Sequence, residues 1–300
     1  MSREGRRALD EQLRRAPEAS APGTIEESRA GFAAFMGGFP IRTDVLRTAT
    51  TAGGRPAVRV EPRTEPRAGT ILYFHGGSFL LGSPETAMVL TAELVARTRT
   101  TAVSVDYRLA PEHPFPAATE DALAAYRSLL DDGIDPTTIA LAGDSAGGGL
   151  AVTTALAARD AGLPLPAAIV ASSPGLDATR SGVTMRTKDG RDPFFTSAGL
   201  LRTGELHLAG ADPRQPLLAP AVVGDLTGLP PMLLQAGSNE LLLDDAVRLA
   251  ARAREAEVDV VLEVVADVPH VFQAWVGTLD EAGDALDRAA LFLVQRLRSR

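Results

Sequence analysis

The pentapeptide Gly143-Asp144-Ser145-Ala146-Gly147 places one hydroxyl between two glycines. It stands directly after an apolar run, 139–142, and directly before an alanine-rich stretch with helical character, 146–161. A serine at such a strand-to-helix turn is forced into a strained conformation, and side chains at the flanking positions would collide. The turn holds the hydroxyl out at the carboxyl edge of a sheet, where open α/β folds bind ligands. The helix N-terminus beneath it favours developing negative charge. That is the chemistry of a serine nucleophile. The alternative is a glycine-rich turn that merely packs closely or grips a phosphate, and the strand and helix on either side favour the nucleophile.

A second glycine motif, His75-Gly76-Gly77-Ser78-Phe79, follows the apolar run 71–74. Acyl transfer passes through a tetrahedral oxyanion that needs backbone N–H groups fixed where its charge appears. Gly76 and Gly77 are the expected donors, joined by the N–H of Ala146. His75 reads as an anchor of this loop. Asp144 reads as a structural neighbour of the nucleophile, and Gly148 and Gly149 as sites of close helix–sheet packing.

The elements that must position these groups recur from residue 70 onward as apolar strand, turn and helix. Strands are predicted at 71–74, 102–105 and 139–142, with helices over 84–97, 117–130 and 146–161. Further strands are predicted at 167–172, 232–235 and 258–265, with a closing helix over 280–297. Continuous apolar strands between helices indicate a parallel sheet buried on both faces. Ahead of them, 45–50 and 57–60 flank Gly53-Gly54 as a hairpin. The first forty-odd residues carry Leu9, Leu13, Phe32, Phe35 and Met36 on helical spacing, broken by Pro17, Pro22 and Gly37-Gly38. Their apolar surface is too small for a core of its own. Residues 177–217 break the strand–helix rhythm and read as an inserted helical segment.

Composition narrows the function class. The 300 residues are 45% hydrophobic, carry a formal net charge of −8 and contain no cysteine. Disulfides, thiolate metal sites and a cysteine nucleophile are therefore excluded. The acidic balance argues against nucleic acid or an anionic membrane as partner. No His/Asp/Glu cluster has metal-ligand spacing, so no metal and no cofactor are expected. The charged N-terminus lacks the apolar core of a secretory signal, and no apolar run approaches the length of a membrane span. A cytoplasmic protein without membrane contact is the expectation.

His-Gly-Gly-Ser-Phe at 75–79, Asp-Tyr-Arg-Leu-Ala-Pro-Glu at 106–112 and Gly-Asp-Ser-Ala-Gly at 143–147 together resemble the hormone-sensitive-lipase-like family of esterases, especially its bacterial carboxylesterases and acetylhydrolases. The similarity runs from about residue 71 to 275, and Ser78 stands where many members have a third glycine. The resemblance implies an α/β-hydrolase fold, with a mostly parallel sheet flanked by helices and a helical cap. The core is then 46–176 and 218–300, with an N-terminal cap segment over 1–45 and a cap insertion over 177–217.

In that fold the triad runs along the chain as serine, acid, histidine. Of the four histidines, 75, 113, 207 and 270, only His207 and His270 follow Ser145, and only His270 follows a strand-terminal acid. His270 is thus the expected general base, with His207 assigned to the lid or its surface. The segment from Glu240 to Asp244 resembles the family's acid motif, whose first acid is catalytic. This implies Glu240, with Asp244 as the alternative. Arg108 and Glu112 are expected to form an internal ion pair near the glycine loop.

The expected pocket residues are Phe35 and Phe195 from the cap segments and Ser78, Phe79 and Leu80 from the glycine loop and the residue after it. The expected function is cleavage of short-chain carboxylic esters, the substrate being a small-molecule ester. Two alternatives stay open: a lactone or N-acetyl hydrolase using the same triad, and a non-catalytic receptor on the same scaffold, against which His270 argues. A homodimer through the edge strand at 258–265 or the final helix is expected by analogy.

Overall fold

The computed structural model describes residues 3–15 and 23–297. The expected breaks at Pro17 and Pro22 lie outside these residues. The elements are α1 (Arg3–Arg15), α2 (Ile25–Gly37), β1 (Val45–Ala52), β2 (Arg55–Pro62), β3 (Thr70–Phe74), α3 (Met88–Thr98), β4 (Thr101–Val105), α4 (Ala117–Asp131), β5 (Ile139–Asp144), α5 (Ala146–Asp160) and β6 (Ala168–Ser172). They continue with α6 (Thr184–Thr187), α7 (Ser197–Leu208), α8 (Pro220–Val223), β7 (Met232–Asn239), α9 (Leu243–Glu255), β8 (Val260–Pro269) and α10 (Asp280–Arg296).

The eight strands form one sheet in the order β1-β2-β4-β3-β5-β6-β7-β8. From β4 to β8 every pairing is parallel, while β1, β2 and β4 pair antiparallel. The hairpin turns at Gly53 and Gly54, both at positive φ as a tight two-residue turn requires. The strand alternation divides the core in two. Leu72, Phe74 and Leu141 pack with α4, α5 and α9 on one face. Ile71, Tyr73 and Ala142 pack with α3 and α10 on the other. β5, the central strand, is buried along its whole length, so both of its faces must be apolar. The nucleophile turn therefore projects from a fully buried strand in the middle of the sheet.

The N-terminal helices touch the inserted segment, Arg14 of α1 donating to the Arg191 carbonyl at 2.7 Å and the Phe35 ring of α2 meeting that of Phe194. α1 packs on the β8 edge: Leu9 joins a cluster with Val268 and Phe272, Arg6 pairs with Glu281 and Arg7 with Asp267. α2 starts in a capping box between Thr24 and Glu27 and buries none of its residues. It is held by Arg29, whose guanidinium binds the Leu80 carbonyl at 2.9 Å and the Glu112 carboxylate at 2.7 Å. That contact corrects the expected Arg108–Glu112 pair. Arg108 turns back to the first turn of α4, where Asp121 accepts at 2.8 Å and Glu120 at 3.2 Å. Glu112 lies further along the loop and faces α2 instead. Its hydrogen bonds from Arg29 bring its pKa down to about 2.

Within 177–217, Met185, Leu200 and Phe195 pack on Leu241 and Leu242 in a small cluster of their own. Asp244 fastens the start of this segment, its carboxylate accepting from the Val183 N–H at 2.5 Å. Among the described residues no helix is long and apolar enough to cross a membrane.

Candidate active site

Ser145 sits between β5 and α5 with φ 53° and ψ −120°, a conformation L residues rarely adopt. What enforces it is the absence of a side chain at Gly147. A Cβ there would stand 2.0 Å from the Phe74 carbonyl oxygen and 2.5 Å from that of His75. The turn therefore nests against the end of β3 and brings the His75–Phe79 loop alongside the serine.

Three side chains from three segments meet at this point. Ser145 Oγ lies 2.9 Å from His270 Nε2, and His270 Nδ1 lies 2.5 Å from Glu240 Oε2. A carboxylate only accepts, so Nδ1 carries the proton donated to Glu240 and Nε2 is left to accept from the serine hydroxyl. Glu240 is fully buried, and its other oxygen accepts from the Gly237 N–H at 2.6 Å and from Ser173 Oγ at 3.1 Å. Ser173 also receives the Val271 N–H at 3.0 Å, tying the histidine loop to the end of β6. Asp244, four residues on, faces the insertion and is no part of this chain of bonds.

Burial disfavours the charged imidazole of His270. The Glu240 hydrogen bond and charge, with Asp192 and Asp144 nearby, outweigh that and hold its pKa above the ordinary 6.5. Asp192 is buried, and desolvation raises its pKa to about 6 although three backbone N–H groups, of Phe194, Phe195 and Leu241, point at it. Through those bonds it fixes Phe195, whose ring meets His270 edge-on at 5.0 Å. Ser173 and Asp192 escaped the sequence reading because neither lies in a motif. Only the fold brings them within reach of residues 240 and 270.

The glycine loop corrects one expectation. The Gly76 N–H is turned toward the buried Asp144 carboxylate, whose pKa desolvation raises to about 6 against that bond and one from Tyr73. Tyr73 Oη donates to it at 2.8 Å. Gly76 is thereby occupied, and no room remains for a side chain beside Asp144. The next two residues, Gly77 and Ser78, have φ of 121° and 56°, so the loop turns sharply after Gly76. Ser78 and Ala146 both line the cavity at Ser145. His75 is the anchor expected of it. Its ring stacks on Tyr107 at 4.2 Å, its carbonyl accepts from Tyr107 Oη at 2.7 Å, and burial brings its pKa to about 4.

The cavity beside Ser145 is narrow, about 60 Å³, and Phe79, Phe195 and Leu200 form part of its wall. Two predicted pocket residues lie elsewhere. Phe35 is 45% exposed on α2, packed edge-on against Phe39 and Phe194. Leu80 is buried under Arg29, behind the loop. Neither lines the cavity, because the Phe35 ring is taken up by Phe39 and Phe194 and the Leu80 backbone is held by Arg29. His207, by contrast, is buried in the cavity wall, stacked on Phe79 at 4.1 Å.

Comparison with known proteins identifies the family to which the fold belongs. Residues 71–274 match the family model of the alpha/beta hydrolase fold. The chain is 47% identical to an acetyl-hydrolase of Streptomyces hygroscopicus over 224 residues, 75% of each chain. A crystal structure of an esterase from the bacterial hormone-sensitive lipase family superposes with a TM-score of 0.94 at 38% identity, covering 99% of this chain and 100% of that one. The protein EstE5, in crystals soaked with p-nitrophenyl butyrate, superposes at a TM-score of 0.92 with 35% identity over 98% of both chains. This chain belongs to the α/β-hydrolase family, in its branch of hormone-sensitive-lipase-like esterases.

Proposed function

We propose that the protein hydrolyses short-chain carboxylic esters through an acyl-enzyme formed on Ser145. The observation that carries this reading is the unbroken path of hydrogen bonds from Ser145 Oγ through His270 to Glu240. His270 Nε2 takes the hydroxyl proton as Oγ attacks the ester carbonyl. The oxyanion that forms is received by the amides of Gly77, Ser78 and Ala146, the last at the positive end of α5. His270 returns the proton to the leaving alkoxide, then activates water to release the acid. Glu240 keeps the ring in the required tautomer and stabilises the imidazolium.

The narrow cavity favours short acyl chains, and the relation to an acetyl-hydrolase puts acetyl donors first in any substrate panel. Hydrolysis of p-nitrophenyl acetate, hexanoate and palmitate, alongside an N-acetyl amine and a lactone, tests this. Acetate and hexanoate should exceed palmitate, Ser145→Ala should abolish turnover, and a fluorophosphonate should label wild type but not the variant. Best activity on palmitate would refute the chain-length reading, and labelling that persists in Ser145→Ala would refute the nucleophile.

A further inference from the structure

The wall of the cavity is not apolar throughout. Arg180 and His207, from opposite ends of the inserted segment, line it together with Thr119, Thr153 and Thr203. The Arg180 guanidinium has no ion pair among the described residues, and its Nε is shut off from water without a hydrogen-bond partner. The acids that could neutralise it are engaged. Asp177 pairs with Arg248 at 2.9 Å and accepts from Ser181, while the fully buried Asp245 accepts the N–H groups of Leu176 and Asp177. His207 is 8% exposed, and its Nδ1 also lacks a partner. Burial brings its pKa to about 4, so it stands neutral, with one ring nitrogen able to donate.

Arg180 acts on the charge of the buried Asp245 without pairing with it, since Asp245 Oδ2 is taken by backbone N–H groups. A half-buried cation with no direct ion pair is costly unless a ligand completes it. The chain as a whole carries a net charge of −8, so an anion is drawn here by this local group and not by the overall field. We propose that the cavity takes esters bearing a second, remote carboxylate, received by Arg180 with His207 as the adjoining donor. The charge can sit on the acyl side, as in a half-ester of a dicarboxylic acid, or on the alcohol side, as in an acylated hydroxy acid. This rests on the esterase reading, but the carboxylate site itself does not require turnover.

Two substrate pairs separate the sources: p-nitrophenyl hydrogen glutarate against its terminal amide, and 3-acetoxypropionate against 3-acetoxypropionamide. In wild type one pair should favour the carboxylate in kcat/KM by about tenfold or more, chiefly through KM, the scale of one charge-assisted hydrogen bond. In Arg180→Met that ratio should fall to about 1, and Arg180→Lys should keep part of it. A wild-type preference for the amide in both pairs, or a ratio that Arg180→Met leaves unchanged, overturns the proposal. Binding is read separately by calorimetry on Ser145→Ala with glutarate and with glutaramide. Selective binding of glutarate there, lost in the double variant with Arg180→Met and kept in part in that with Arg180→Lys, supports the site even if no ester is turned over. Equal binding of the two compounds refutes it.

Discussion

Replacing Glu240 with glutamine tests the reading of the site at its most constrained point. The side chain keeps its volume, but one carboxylate oxygen becomes an NH2. Two orientations are available. If the amide oxygen stays where Oε1 now accepts from Gly237 and Ser173, the NH2 faces His270 Nδ1. The ring must then accept at Nδ1 and carry its proton on Nε2, where it can no longer take one from Ser145. If the amide flips, the correct tautomer survives, but the NH2 confronts the buried Gly237 N–H. That leaves a buried donor unsatisfied at a cost of about 1–3 kcal/mol. The first orientation therefore dominates by roughly 5- to 150-fold. That tautomer effect costs about 5- to 150-fold. Losing the carboxylate charge that stabilises the imidazolium adds to it, toward the roughly 10,000-fold in kcat, or about 5 kcal/mol, seen when a triad carboxylate becomes an amide. Steady-state hydrolysis of p-nitrophenyl acetate measures this, with far-UV circular dichroism confirming the fold. Residual activity within about tenfold of wild type would refute the assignment, as would an equal loss in Asp244→Asn.

Other outcomes follow from the same geometry. Because the base must be neutral to work and its pKa is held above 6.5, the acid limb of the kcat/KM profile should have its midpoint above that value; the limb should move to lower pH in Glu240→Gln, and a wild-type midpoint well below 6.5 would contradict the Glu240 contact. Asp244→Ala should retain esterase activity and lower stability by about 0.5–1.5 kcal/mol, read from denaturant unfolding, since it removes one acceptor at the start of the inserted segment. Gly147→Ala should cost more than about 3 kcal/mol or prevent folding, because its Cβ meets backbone that cannot move. Gly31→Ala on α2, where a Cβ meets nothing within 4 Å, should instead stabilise by about 0.5–1 kcal/mol, and the contrast in Tm checks both.

The parts of this protein that local chemistry dictates were legible in its sequence. Apolar runs at 71–74, 102–105 and 139–142 become β3, β4 and β5 because strands buried on both faces leave no polar alternative. The serine turn is legible because Gly143 must clear the Gly147 backbone four residues on, although the demand on Gly147 itself comes from Phe74 and His75 on a distant strand. Boundaries drifted where tertiary pairing extends an element: β8 continues to Pro269, beyond the predicted 265, because β7 supplies a partner past a register shift at Gly237–Asn239.

Contacts between distant segments were decided by the tertiary structure alone. Whether Arg108 meets Glu112 or Asp121, and whether Phe35 enters the cavity or packs on Phe39 and Phe194, depends on how α2 and α4 pack, which no local pattern encodes. The same holds for the amide direction at Gly76, set by an Asp144 carboxylate 68 residues away in sequence. It holds too for Ser173 and Asp192, ordinary polar residues until the sheet brings them beside Glu240 and His270. A sequence specifies which side chains are able to react. Their mutual distances are properties of the packed chain, because they arise from the sum of all its long-range contacts.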